Sequence, residues 1–169
     1  MFISTIPDFT LTNQFGQPIS RTNLLGHVWV GDIIFTRCAG PCPRMTQAMR
    51  ALQDSLPKGK PVKLITLTTD PDYDTPPILR QYAEHAGADS SRWWFLTGPK
   101  AEIRKVAVDG MKLVAQQKAA PERETNVDLF IHSTIFVLVD KQGDLRAVFD
   151  TQDAGWKSSL LKGIRILTR

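Results

Sequence analysis

The part of the chain that most constrains its fold is residues 28–43, which read VWVGDIIFTRCAGPCP. Residues 28–35 are almost continuously apolar, a pattern typical of a strand that is covered on both faces of a sheet. A proline and apolar residues at helical spacing then predict an amphipathic helix over about 43–56, because proline is tolerated in the first turn of a helix. Cys38 and Cys42 therefore lie where a buried strand passes into a helix.

The segments on either side of this stretch alternate between strand and helix patterns. Strands are predicted at 9–12, 17–19, 62–69, 93–96, 134–139 and 145–149, and helices at 76–86, 99–108 and about 156–167. Residues 116–126 are polar and contain proline, which is typical of a surface loop. This order predicts an α/β fold of thioredoxin-like layout, in which a central mixed β-sheet has helices on both faces and an N-terminal hairpin.

The length and composition favour one globular domain over residues 1–169. Within it, residues 1–6 are expected to be a linker close to a membrane anchor or an addition ahead of the natural domain. The chain has 21 Lys and Arg against 17 Asp and Glu, a net charge of +4. Because the basic residues are scattered, nucleic-acid binding is not expected.

No apolar run approaches the roughly 18 residues that a membrane helix needs. The N-terminus also lacks the basic region, apolar region and cleavage site of a signal peptide. We therefore expect either a cytosolic protein or a mature domain whose leader or anchor lies outside this sequence.

Two cysteines in 169 residues are too few for a disulfide scaffold, so their chemistry is the more informative question. The amides and dipole of the following helix, with Arg37 and Arg44 nearby, are expected to lower the pKa of the thiols. This predicts a reactive or metal-binding pair. A purely structural disulfide is the alternative, although closing so short a loop contributes only about 2 kcal/mol by loop entropy.

The placement of the cysteines resembles a thioredoxin active site, but three residues separate them where thioredoxins have two. Thioredoxins also have a cis-proline before the strand that faces the cysteines. Here the residues before the strand at 134–139 include His132 and no proline. A histidine in that position could face the two thiols.

Four motifs together resemble the Sco/SenC family of copper-binding assembly factors, over a match from about Pro7 to the C-terminus. They are FTRCAGPCP at 35–43, LTTDPDYDTPPILRQY at 67–82, WWFLTG at 93–98 and FIHSTIFVLVDKQG at 130–143. The resemblance implies a copper site formed by Cys38, Cys42 and His132. Two thiolates and one imidazole suit Cu(I), and Cu(II) with a further oxygen ligand. Zinc is the competing metal, but a structural zinc site needs four protein ligands.

The other two histidines, His27 and His85, are interpreted as surface or capping residues. Of three carboxyls near the motifs, Asp70 and Asp32 have two interpretations each and Asp74 has one. Asp70 and Asp74 suit a turn and a helix N-cap, while Asp70 is also a candidate to reach the metal rim behind the ligands. Asp32, in the apolar strand six residues before the first cysteine, is either bonded within the sheet or tunes the thiols, as a buried acid at this offset does in thioredoxins.

For function, the resemblance implies a copper metallochaperone that delivers copper to cytochrome c oxidase for assembly of its dinuclear copper centre. The alternative is a thiol–disulfide oxidoreductase in which Cys38 and Cys42 are a redox pair that reduces client cysteines for copper loading. Peroxide reduction is disfavoured, because the peroxidase pattern has two residues between Thr and the reactive Cys, whereas here only Arg37 separates Thr36 from Cys38.

The resemblance also implies partners and a location. The expected partners are the copper-carrying subunit of cytochrome c oxidase or other copper chaperones. The expected location is the periplasmic or exoplasmic side of a membrane, with an N-terminal anchor outside this chain. The mitochondrial intermembrane space is the alternative.

Overall fold

The structure, a computed structural model, describes residues 1–57, 62–113 and 134–169. Its strands are β1 (Ser4–Thr5), β2 (Thr10–Thr12), β3 (Pro18–Ser20), β4 (Val28–Ile34), β5 (Val62–Thr68), β6 (Trp93–Leu96), β7 (Ile135–Val139) and β8 (Asp144–Asp150). Its helices are α1 (Arg21–Leu24), α2 (Cys42–Ser55), α3 (Pro76–Ala86), α4 (Lys100–Arg104), which continues as a π-helix over Lys105–Gly110, and α5 (Trp156–Leu167).

Six strands form one mixed sheet in the order β1-β8-β7-β4-β5-β6. The pairs β4–β5 and β5–β6 are parallel, and the pairs β4–β7, β7–β8 and β1–β8 are antiparallel. The hairpin of β2 and β3 forms a separate small sheet. The predicted central mixed sheet, its antiparallel pair and the N-terminal hairpin are therefore confirmed.

Apolar layers cover both faces of the sheet, which explains why all seven residues of β4 are buried. One layer contains apolar side chains from α2, α3 and α5 together with both cysteines. The other contains side chains from the hairpin, α1 and α4. The continuous apolar pattern of β4 is the sequence consequence of this burial on two sides.

Two local features differ from the sequence expectation. Residues 1–6 are not simply a linker, because Ser4 and Thr5 pair with β8 and the Ile6 side chain is only 1% exposed. The helix expected at 99–108 runs through a π-helical turn, whose last residue Gly110 accepts a 2.6 Å hydrogen bond from the Ser4 hydroxyl at its carbonyl oxygen. The predicted loop at 116–126 lies outside the described residues.

The parallel pairing of β4 with β5 determines where the functional side chains meet. Ile34, the last residue of β4, is paired with Thr68, the last residue of β5. The loop of residues 35–41 and the loop of residues 69–75 therefore leave the same edge of the sheet side by side.

Candidate thiol and metal site

The two cysteines lie together at this edge of the sheet. Cys42 is the first residue of α2, and the Cys38 amide donates a 3.1 Å hydrogen bond to the Phe35 carbonyl, which turns the chain between strand and helix. Both are thiols in the structure, and their side chains are in hydrogen-bonding contact. Cys38 is 8% exposed and Cys42 is 3% exposed, so Cys38 is nearer to solvent.

The environment of Cys42 contradicts the expectation that both thiols have a lowered pKa. Burial is the largest effect and raises the pKa of Cys42, and the hydrogen bond with Cys38 raises it further. A backbone hydrogen bond at Phe35 acts in the opposite direction but is outweighed. Desolvation therefore exceeds the favourable field of the helix N-terminus at this position.

Arg37, expected to help lower the thiol pKa values, is paired with Asp70. Its Nη2 and Nε donate to Asp70 Oδ2 at 2.8 and 3.3 Å. The guanidinium also lies 4.0 Å from the centre of the Tyr73 ring. Asp70 is 6% exposed and contacts the cysteine loop through this arginine. The expectation that Asp70 lies close to a bound metal, behind its ligands, stays a prediction.

Asp74 has a role that the sequence did not reveal. Its side chain is completely buried and accepts three hydrogen bonds. Two come from Thr36, one from the amide at 3.0 Å and one from the hydroxyl, and the third comes from the Thr68 hydroxyl at 2.6 Å. The N-cap of α3 is Thr75, so Asp74 does not cap that helix as the motif suggested. A threonine two residues before Cys38 was the available signal for this contact.

Asp32 is also completely buried, on β4. The Trp93 indole N–H donates to the Thr66 hydroxyl at 2.9 Å, and Thr66 donates to Asp32 Oδ1 at 2.6 Å. The direction follows because an indole nitrogen can only donate, so the single hydroxyl proton of Thr66 is left for the carboxyl. Asp32 Oδ2 has no hydrogen-bond partner among the described residues.

This one-sided environment explains the protonation of Asp32. Desolvation raises the pKa of Asp32 to about 7, and the hydrogen bond from Thr66 opposes that rise. Its charge in turn contributes to raising the pKa of Cys42. The interpretation that Asp32 is bonded within the sheet therefore agrees with the structure, and it is electrostatically linked to the thiols as well.

Tyr82 of α3 is a further residue near the thiols that sequence reasoning missed. Its hydroxyl lies 2.7 Å from the Thr46 hydroxyl of α2. Burial raises the pKa of Tyr82 to about 12, with smaller contributions from the charges of Cys42 and Asp32. Helical periodicity predicted an inward face for α3 but could not show which hydroxyl pairs across to α2.

The third predicted ligand, His132, lies outside the described residues. In residues 1–57, 62–113 and 134–169, no group of three or more His, Cys, Asp or Glu side chains could hold a metal ion. His85 lies on an exposed position of α3, and His27 is half-buried just ahead of β4. The described part of the site thus consists of two adjacent thiols, soft donors that suit Cu(I).

Comparison with known proteins places this arrangement in one family. The SCO1/SenC family model matches residues 3–166. An SCO1 protein homolog of Bacillus subtilis strain 168 is 36% identical over 140 residues, which are 82% of this chain and 69% of the relative.

Solved structures show the same fold. A SCO1/SenC family lipoprotein from Bacillus anthracis has a TM-score of 0.82 at 27% identity, covering 98% of this chain and 96% of that one. BsSco, described as a cytochrome c oxidase assembly protein with a disulfide switch, has a TM-score of 0.82 at 29% identity, covering 98% and 94%. ScoI of Arabidopsis thaliana with copper bound has a TM-score of 0.79 at 21% identity, covering 96% and 99%.

The described residues contain no helix that is long and apolar enough to cross a membrane. The match to the family model spans almost the whole chain and includes both cysteines. The chain belongs to the SCO1/SenC family.

Proposed function

We propose that this chain is a copper metallochaperone that binds copper through Cys38, Cys42 and His132 and delivers it to cytochrome c oxidase for assembly of the dinuclear copper centre. The observation that supports this most directly is the contact between two buried thiols at the β4–α2 junction. Copper is the metal bound in a solved relative of the same fold, and oxidase assembly is the role given for BsSco.

The chemistry of the two thiols fits copper as cargo. Paired thiolates prefer a soft, low-coordinate ion such as Cu(I), and an imidazole completes a three-ligand set. Because burial raises the pKa of Cys42, copper must displace its proton on binding. Cys38, the more exposed sulfur, is the first ligand that a docked partner would reach.

A second function, thiol–disulfide exchange, is favoured by the same contact between the sulfurs. In this reaction the Cys38 thiolate attacks a client disulfide, and Cys42 then displaces the client sulfur from the mixed disulfide. The client gains two electrons and two protons as two thiols, and this chain is left with a Cys38–Cys42 disulfide. The disulfide switch described for BsSco supports this alternative.

For location we propose the periplasmic or exoplasmic side of a membrane, with an anchor ahead of the domain. The mitochondrial intermembrane space is the alternative. The description of a relative as a lipoprotein supports attachment to a membrane. The proposed partners are the copper-carrying subunit of the oxidase and other copper chaperones, and not nucleic acid.

An anaerobic competition titration with a coloured Cu(I) chelator tests the copper site. The reduced protein is expected to bind one Cu(I) per chain. His132→Ala is expected to weaken binding at least tenfold while the Cys38–Cys42 disulfide still forms, and Cys38→Ser is expected to abolish tight binding. His85→Ala is the matched control and should bind as wild type does. Equal affinity of wild type and His132→Ala would refute the three-ligand site.

A client-type disulfide tests the second function. The reduced protein is mixed with a peptide that contains an intramolecular disulfide, and the peptide thiols are measured over time. Rapid exchange that is lost in Cys38→Ser supports reductase activity. A Cys38–Cys42 disulfide that forms but never exchanges would argue against it.

A further inference from the structure

Two side chains of the loop of residues 69–75 bind the two residues that precede Cys38. The Asp70 carboxylate binds Arg37, and the Asp74 carboxylate binds Thr36. Both contacts are partly buried, but the first is the more exposed: the Arg37 side chain is 43% exposed, whereas Thr36 is half-buried and Asp74 is fully buried. The Asp74 contact is the stronger constraint, because it has three hydrogen bonds and solvent competes less for a buried carboxyl.

The hydrogen bonds of Asp74 connect three segments. Thr68 is the end of β5, Thr36 lies in the cysteine loop, and the Asp74 amide itself donates to the Asp70 carbonyl at 2.8 Å. A buried carboxylate needs such donors, since losing one leaves an uncompensated buried acceptor. The Asp74 side chain therefore links the start of the cysteine loop to the end of β5.

We propose that Asp74 is a positioning residue for the thiol pair: by fastening Thr36 to the end of β5, it holds Cys38 beside Cys42 and sets the strength of both the Cys38–Cys42 disulfide and the copper complex. The disulfide part depends only on the two thiols. The copper part rests on the proposed function.

Both the disulfide and the copper complex depend on the effective concentration of one sulfur at the other, which rises when the loop that carries Cys38 is held in place. Cys42 is fixed by α2, whereas Cys38 lies in the loop of residues 35–41. When the loop is fastened, little conformational entropy is lost as the sulfurs join each other or a shared ion. Without the Asp74 contacts more of the loop must be ordered at that moment, so both equilibria weaken together.

The test uses Asp74→Ala in the full chain. The protein is equilibrated with glutathione buffers of defined ratio, trapped by alkylation and measured by mass. The equilibrium constant for disulfide formation is expected to fall about tenfold, which is about 30 mV towards a more positive potential for a two-electron couple. Competition with a Cu(I) chelator should show a loss of affinity of similar size.

Asp140→Ala is the matched control. Asp140 is another buried carboxylate that accepts hydrogen bonds from two backbone amides and from Arg146, but it lies in the turn between β7 and β8. Both variants are expected to lower the melting temperature. Only Asp74→Ala should change the disulfide equilibrium. If both variants keep the wild-type equilibrium constant within twofold, the inference is overturned.

Two further variants keep the test decisive if Asp74→Ala does not fold. Asp74→Asn retains one carbonyl acceptor and is expected to restore much of the wild-type equilibrium. Thr36→Val removes one hydroxyl donor and should weaken the disulfide by a smaller factor in the same direction. No change in Thr36→Val would overturn the inference. Wild-type protein that fails to bind Cu(I) would refute the copper function, while the disulfide measurement would still test Asp74.

Discussion

Two buried carboxylates lie on neighbouring elements of this protein and have opposite environments. Asp74 accepts three hydrogen bonds, so both of its carboxyl oxygens have partners in the interior. Asp32 accepts one at Oδ1, and its Oδ2 has no partner among the described residues. Two equally buried carboxyls therefore behave differently. Asp74, which several donors surround, links two segments of the chain, whereas Asp32, which has one donor, has a raised pKa.

The largest expected effect concerns Asp32 and pH. Because burial raises the pKa of Asp32 from its ordinary value of 3.8 to about 7 in the folded protein, the folded state binds more protons between these two values. The free energy of unfolding is therefore expected to fall by about 4 kcal/mol as pH rises from about 4 to about 7. Above that range Asp32 causes no further change. Urea unfolding of wild type and Asp32→Asn across pH 4–8 measures the difference between them.

Asp32→Asn should remove this pH dependence and be the more stable protein at pH 8. Asp54→Asn, a change at an exposed carboxyl of α2, is the control and should leave the curve of wild type unchanged. A difference between wild type and Asp32→Asn that is the same at pH 4 and pH 8 would contradict the role given to burial.

Removal of Asp74 is expected to have the next largest effect. Asp74→Ala leaves the Thr36 amide and two hydroxyls without their acceptor, so the free energy of unfolding should fall by about 3 kcal/mol. Denaturant unfolding at pH 7 checks the value. A loss below about 0.5 kcal/mol, the usual size for surface substitutions, would mean that these hydrogen bonds are not maintained in solution.

The substitution Thr66→Val tests the hydrogen bond that Thr66 donates to Asp32. The hydrogen bond from Thr66 lowers the pKa of Asp32, so its loss should raise that pKa further. Infrared titration of the protonated carboxyl band would show it. A midpoint that moved to lower pH would contradict a hydrogen bond donated by Thr66 to Asp32.

The smallest expected effect is that of Arg37→Gln. The Arg37 side chain is 43% exposed, so the loss of its ion pair with Asp70 should lower the free energy of unfolding only slightly, as is usual for exposed ion pairs. Thermal unfolding at low and high salt measures it, and wild type should show the larger salt dependence. A loss comparable to that of Asp74→Ala would show that the exposed contact is as important as the buried one.

The sequence predicted most of the fold because its signals are periodic. The apolar run of β4 and the helical spacing in α2 both reflect which faces are buried, and the structure confirms them. The strand β1 was missed, since two residues are too few to show a period.

The site was predictable only in part. Spacing and motif identified Cys38 and Cys42, whose contact the structure describes. The raised pKa of Cys42 and the direction of the Asp74 side chain depend on tertiary packing, which no local pattern encodes. The ligand role of His132 stays a prediction.

The hydrogen-bond chain from Trp93 through Thr66 to Asp32 has an optical consequence. The Trp93 side chain is completely buried, and its ring stacks on Phe95 at 4.9 Å between centroids. Its indole N–H is connected through the Thr66 hydroxyl to the Asp32 carboxyl, whose pKa is about 7. The fluorescence of this tryptophan is therefore expected to respond to the charge of Asp32, against the background of the three other tryptophans of the chain.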